Sequence, residues 1–168
     1  MNELGLFAGI GGGILGGKLC GFKTVCYVEI NKYCQEIIKQ RIKDGIFEDA
    51  PIWDDIKTFN GSPWAGHVDI VTAGFPCQPF SACGKGLGKE DKKNLWPETF
   101  RVIKEVSSKW IFLENVPALL TQNYFGEILQ NLASVRYSCK WQCLSATDVG
   151  AKHKRDRVWI IGKKNRFF

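Results

Sequence analysis

The 168-residue sequence contains no C-x-x-C pair. Its seven cysteines, at positions 20, 26, 34, 77, 83, 139 and 143, are odd in number and lack the spacing of a zinc site or a disulfide framework. Reduced thiols in a cytosolic protein are the better reading. No run of about 18 apolar residues occurs, so no membrane-spanning helix is expected. The apolar start, Leu4 to Leu19, follows the acidic Met1-Asn2-Glu3 rather than a basic segment, and glycines interrupt it, which argues against a signal peptide. No internal repeat or low-complexity tract is found. Charged residues make up 24% and hydrophobic residues 45%, ordinary values for a soluble globular protein, and the length suits one domain with a sizeable core. A net charge of +6, from 23 Lys and Arg against 17 Asp and Glu, allows a polyanionic partner without requiring one.

The stretch that organises the chain is Gly74-Phe75-Pro76-Cys77-Gln78-Pro79-Phe80-Ser81. It follows Asp69-Ile70-Val71-Thr72-Ala73, which reads as a buried strand. Each proline fixes its own φ and extends the residue before it, so Cys77 is carried on a stiff loop. Stiffness suits a nucleophile, because a reacting atom already held in place loses less entropy at the transition state. A proline-rich turn around a buried cysteine is the plainer alternative.

Leu4 to Phe7 reads as a first strand, Ala8 to Gly13 as a glycine turn, and Ile14 to Cys20 as a helix closed by Gly21. This is the opening of a βαβ unit. A G-x-G-x-x-G at Gly11, Gly13 and Gly16 falls late, inside the expected helix. Lys23 to Val28 is a second strand ending at Glu29, about 20 positions after the first glycines, where a nucleotide ribose is often bound. Asn31 is placed to cap a helix over Lys32 to Lys43. Ile52 to Ile56 reads as a short third strand ending in acids, with Asp55 at the ligand-binding edge of an open sheet or in an ordinary turn. Ala82 to Asn94 is a lysine-rich, glycine-rich stretch, either a functional lid or a solvated insertion. Pro97 opens a helix to about Val106. Trp110 to Leu113 is a buried strand ending in Glu114-Asn115-Val116-Pro117, which sets a carboxylate on the same sheet edge as Cys77. Tyr124 to Val135 is a helix whose Phe125, Ile128, Leu129 and Leu132 stripe is core. Cys139 to Ser145 and Val158 to Gly162 are closing strands. The run Lys152 to Arg157 between them is either a solvated loop or an anion contact, for which arginine's planar fork of donors is suited.

Together these stretches resemble the cytosine-C5 DNA methyltransferases over nearly the whole chain. Phe7, Ala8, Gly9, Ile10, Gly11 and Gly12 match the motif that binds S-adenosylmethionine. Glu29 matches its ribose acid, and Asp55-Ile56 its adenine contact. Pro76-Cys77-Gln78, Glu114-Asn115-Val116 and Arg155-Asp156-Arg157, in this order, match the catalytic motifs. The resemblance implies an α/β Rossmann-like methyltransferase fold, a mostly parallel seven-stranded sheet with one antiparallel strand, as a single catalytic domain over residues 1–168. It implies S-adenosylmethionine as cofactor, with Ile30, Pro76 and Leu95 also contacting it, and no metal. Gly5, Ile30 and His153 depart from the usual family residues without removing the chemistry.

The implied reaction joins the Cys77 thiolate to carbon 6 of cytosine, so that carbon 5 can take the methyl group. Glu114 would engage N3 and the exocyclic amine, Arg157 the base oxygen, and Arg155 the nucleotide backbone near Cys77. The base must leave the duplex to be reached. Gln78, Ser81, Lys85 and Lys89 are the expected DNA contacts, the lysines by phosphate neutralisation. Full-length members carry a target-recognition domain and a final cofactor motif that this sequence does not show. The expected partner is double-stranded DNA, and the short form reads as a minimal enzyme of low specificity, a truncated remnant with weak cofactor binding, or a core whose missing segments come from a second subunit or a homo-oligomer. The rival readings are a tRNA cytosine methyltransferase, a non-catalytic nucleic-acid-binding subunit, and a NAD-dependent enzyme, the last leaving Cys77, Glu114 and Arg157 unexplained.

Overall fold

The computed structural model describes residues 1–76 and 94–165. Cys77, Gln78, Ser81, Lys85 and Lys89 lie outside the described residues. The described strands are β1 Asn2–Leu6, β2 Lys23–Val28, β3 Ile52–Trp53, β4 Ile70–Ala73, β5 Trp110–Asn115, β6 Tyr137–Ser145 and β7 Asp156–Lys164. The helices are α1 Gly12–Leu19, α2 Lys32–Lys43, α3 Trp96–Val106 and α4 Asn123–Ser134. The strands form one sheet in the order β3-β2-β1-β4-β5-β7-β6. Its pairs are parallel from β3 to β5, and β7 pairs antiparallel with both neighbours. One strand of seven therefore runs against the rest, as expected, and the architecture is α/β and Rossmann-like.

Alternation along the strands divides the chain into two layers of core. Leu4 and Leu6 of β1, Val71 of β4, Leu113 of β5 and Ile160 of β7 are buried with Val102, Ile103 and Val106 of α3 and Ile128 and Leu132 of α4. On the other side Ile14 of α1 and Ile38 of α2 pack with Tyr27 and Phe47. Each such side chain taken from water contributes about 1.5–3 kcal/mol, so the layers fix the sheet firmly under the site. A Cβ at Gly5 would overlap the Ile14 side chain, so glycine at this position lets α1 lie close on β1.

Several boundaries differ from the sequence reading. β3 holds only two residues, because the Asp54 carboxylate accepts the Asp55 N–H at 2.8 Å and turns the chain. α1 begins at Gly12, after Gly11 at φ +91°, so two of the three spaced glycines lie inside the helix. β5 continues through Glu114 and Asn115, which pair with Trp159 and Val158. β7 begins at Asp156, which places Arg157 in the strand rather than in the charged loop. Three 3-10 turns, Ser62–Trp64, Pro117–Thr121 and Ala146–Val149, were not anticipated.

Candidate active site

The strand order reverses between β1 and β4, and an open α/β sheet binds ligands at such a point, beyond the carboxyl ends of its strands. An open cleft of about 500 Å³ lies there. It is lined by Phe7, Val28, Glu29, Ile30, Asp54, Asp55, Ile56, Lys57, Pro76 and Leu95, drawn from the ends of four strands and the approach to α3. Seven of these, Phe7, Glu29, Ile30, Asp55, Ile56, Pro76 and Leu95, were expected at a cofactor site. Val28, Asp54 and Lys57 were not. Ala8, Gly9, Ile10, Gly11 and Gly12 are not lining residues, and Ile10 is exposed.

The glycine turn is joined to the cleft by Glu29. Its carboxylate accepts the Gly9 N–H through Oε2 and the Asn31 N–H through Oε1, both at 2.7 Å. Gln35 of α2 donates to the Glu29 carbonyl at 2.6 Å, and Asn31 caps α2 by accepting from Cys34 N–H at 3.2 Å. Gly9 has φ +55°, and a Cβ there, or at Gly12 or Gly13, would meet nothing within 4 Å. This backbone is open on its outer side, the form of a cradle. Phe7 also holds a left-handed φ of 54°, unusual for a residue with a side chain.

The opposite wall is held from α3. Arg101 donates to the carbonyls of Ile56 at 2.6 Å and Phe59 at 2.9 Å, and is itself paired with Glu98 and Glu105. Asp55 turns the chain by accepting the Lys57 N–H at 2.9 Å. Phe75 is buried against Trp96, with ring centroids 5.2 Å apart. Trp96 is itself fixed by a hydrogen bond from Nε1 to Asn131 at 2.9 Å.

Beside the cleft lies a charged pair. Arg157 Nε is 2.6 Å from Glu114 Oε1. A Cβ at Gly74 would sit 3.3 Å from Glu114 Oε2, so the carboxylate adjoins the exit of β4 that leads to Pro76 and Cys77. Because β7 runs opposite to its neighbours, its start lies at the edge where the parallel strands end, and this brings Arg157 to Glu114. Arg155 is exposed, and its carbonyl accepts the Ala146 N–H at 3.1 Å. The five described cysteines, 20, 26, 34, 139 and 143, are free. Burial pushes the Cys26 thiol up to about 12 and raises that of Cys139, so neither is an accessible thiolate. Among the described residues no three His, Cys, Asp or Glu side chains converge on a point, and no helix is long and apolar enough to cross a membrane.

This arrangement, an α/β sheet with an open cleft at its switch point and a Glu–Arg pair beside the exit of β4, agrees with the comparisons to known proteins. The C-5 cytosine-specific DNA methylase family matches residues 1–167, and the chain belongs to that family. It is 37% identical over 170 residues to the Type II methyltransferase M.NgoMIV of Neisseria gonorrhoeae, covering 99% of this chain and 53% of that protein. It is 37% identical over 165 residues to M.HaeII of Haemophilus aegyptius, covering 96% of this chain and 50% of that one. Among solved structures, a mutant of Spodoptera frugiperda DNMT2 aligns with a TM-score of 0.80 at 22% identity, over 99% of this chain and 50% of that one. S. pombe Dnmt2 methyltransferase aligns with a TM-score of 0.78, also at 22% identity, over 100% and 52%. At that identity the likeness concerns the fold. The chain spans about half the length of the curated relatives it matches.

Proposed function

We propose that this chain is the catalytic part of a cytosine-C5 DNA methyltransferase that uses S-adenosylmethionine. The observation that carries this reading is the Glu114–Arg157 pair, set beside the β4 exit that leads into Cys77 and next to the switch-point cleft. The cleft residues fit the cofactor. Glu29 would take the ribose hydroxyls and Asp55 and Ile56 the adenine, with Ile30 packed on its ring. The Phe7–Gly12 turn, where Gly9 and Gly12 leave open space, would take the remainder, with Pro76 and Leu95 opposite. When bound, S-adenosylmethionine supplies an electrophilic methyl group.

In this reading the chain's own groups prepare the base. The Cys77 thiolate forms a bond to carbon 6, which pushes electron density onto carbon 5. Glu114 engages N3 and the exocyclic amine, stabilising charge that develops in the ring. Arg157 donates to the base oxygen. After carbon 5 has been methylated, its proton is lost to water, and the electron pair of that bond expels the Cys77 sulfur and restores the ring. Glu114 and Arg157 lie at the sheet edge, so a cytosine in a duplex must be flipped out to meet them.

The description of the family, C-5 cytosine-specific DNA methylase, favours DNA over RNA as the substrate. A segment equivalent to the relatives' unmatched half, in the same chain or in a second subunit, would supply recognition of the DNA sequence. The decisive experiment incubates the protein and its Cys77→Ala variant with labelled S-adenosylmethionine and either duplex DNA or tRNA. Label is expected in DNA only, and only with Cys77. Label in tRNA would overturn the substrate, and transfer by Cys77→Ala would overturn the nucleophile. A second arm uses duplex DNA containing 5-fluorocytosine, in which the carbon-5 position has no proton to lose. A denaturation-resistant adduct through Cys77 is expected.

A further inference from the structure

Both ends of the Asn115 side chain are in use. Nδ2 donates to the Phe75 carbonyl at 3.1 Å, and Oδ1 accepts the Val116 N–H at 2.8 Å. The residue is 3% exposed, so neither bond is replaceable by water. The amide donates to a carbonyl and accepts from an N–H in the same buried place, which an ionised carboxylate, an acceptor only, cannot do. Phe75 stands two residues before Cys77 in the sequence, and its ring is locked against Trp96. Asn115 follows Glu114 directly, and Glu114 in turn adjoins Gly74. One buried side chain thus joins the exit of β4, which leads in sequence to Cys77, to the end of β5 that carries Glu114.

We propose that Asn115 is a positioning residue: it sets the separation between the β4 exit, from which the chain runs on to Cys77, and the Glu114 carboxylate. This rests on the reading that Cys77 and Glu114 act on one base. Asn115→Asp keeps the shape but loses the donor and turns a carboxylate toward the Phe75 carbonyl. The β4 exit is then released from β5. The Glu29–Gly9 clamp on the far side of the cleft keeps both its bonds.

The test compares wild type with Asn115→Asp and Asn115→Ser. It measures thermal unfolding, S-adenosylmethionine affinity by calorimetry, and single-turnover methyl transfer to duplex DNA. It also follows iodoacetamide alkylation at Cys77 across pH, resolved by peptide mass spectrometry. The expected result is cofactor affinity within about twofold of wild type, with transfer slower on the order of a hundredfold. The pH profile of Cys77 alkylation should be displaced in the same variants. A folded Asn115→Asp protein with wild-type transfer and a wild-type alkylation profile overturns the proposal. So does a parallel loss of cofactor affinity and transfer, which marks a general scaffold role. If wild type itself transfers no methyl group, the proposed activity has failed, and the alkylation profile alone decides the role of Asn115.

Discussion

Arg157 Nε lies 2.6 Å from Glu114 Oε1, across the antiparallel β5–β7 pair. Glu114 is directly opposite Trp159, so Arg157 reaches it along the diagonal, which only a long side chain can do. The pair is partly exposed, at 22% for Arg157 and 29% for Glu114. Such pairs contribute no more than about 1 kcal/mol to stability. The geometry therefore serves the site more than the fold.

Arg157→Lys tests this division. Lysine keeps the charge but loses the planar fork that can meet a carboxylate and a base oxygen together. The unfolding midpoint should move by a few degrees at most, while single-turnover transfer falls about a hundredfold. A melting point that drops in proportion to transfer would assign the residue to the scaffold instead.

Glu29 is expected to behave differently, because its carboxylate already accepts two backbone donors at 2.7 Å. Glu29→Gln leaves one of those N–H groups facing an amide nitrogen. Hydrogen bonds to charged groups contribute about 1.5–3 kcal/mol, so this variant should lose stability and bind S-adenosylmethionine at least about tenfold more weakly. Calorimetric titration alongside thermal unfolding reads both. Full retention of affinity would remove Glu29 from the proposed ribose site.

Two glycines of the same turn separate space from conformation. Both have positive φ, +55° at Gly9 and +91° at Gly11. A Cβ at Gly9 meets nothing, whereas one at Gly11 would overlap the Phe47 ring. Gly9→Ala should cost about 1–2 kcal/mol from the left-handed backbone alone, with a larger loss of cofactor affinity. Gly11→Ala adds the clash with a buried ring and should cost about 3 kcal/mol or more. Chemical denaturation of the two variants checks the order.

What was legible in the sequence follows the range of the forces. β2 and α2 have the bounds read from local pattern, because β-branched residues and the Asn31 cap act within a few positions. β5 and β7 outran their apolar runs, because each extends as far as the other pairs with it. The cleft walls were named through family motifs at Phe7, Glu29, Asp55 and Pro76. Of the groups that hold those walls, Arg101 was missed and Asn115 was named only as part of the Glu114-Asn115-Val116 motif. Arg101 reaches the Ile56 carbonyl across 45 residues, and Asn115 reaches Phe75 across 40. No local spacing encodes such bonds, and a buried amide or a helical arginine looks ordinary in sequence.

Glu3 carries the pH prediction. It is fully buried in β1, where Oε1 accepts the Thr72 hydroxyl at 2.7 Å and Oε2 the Thr24 hydroxyl at 2.9 Å. Gly17 of α1 closes over it, since a Cβ there would lie 2.9 Å from Oε2. Burial raises the Glu3 carboxyl above its ordinary value, and the two hydroxyls only partly oppose this. A raised carboxyl binds its proton more tightly in the folded chain than in the unfolded one. Its favourable contribution is then complete below the unfolded value, about 4.3, and is lost as pH rises through the folded value. Glu3→Gln keeps the shape and hydrogen-bonding capacity without a group to ionise. This variant should unfold at a higher temperature than wild type near pH 8, and the difference should vanish as pH approaches about 4.3. A constant gap across that range would show that shape, not ionisation, decides the effect, and a lower midpoint for Glu3→Gln at pH 8 would mean the carboxylate is stabilising where it sits.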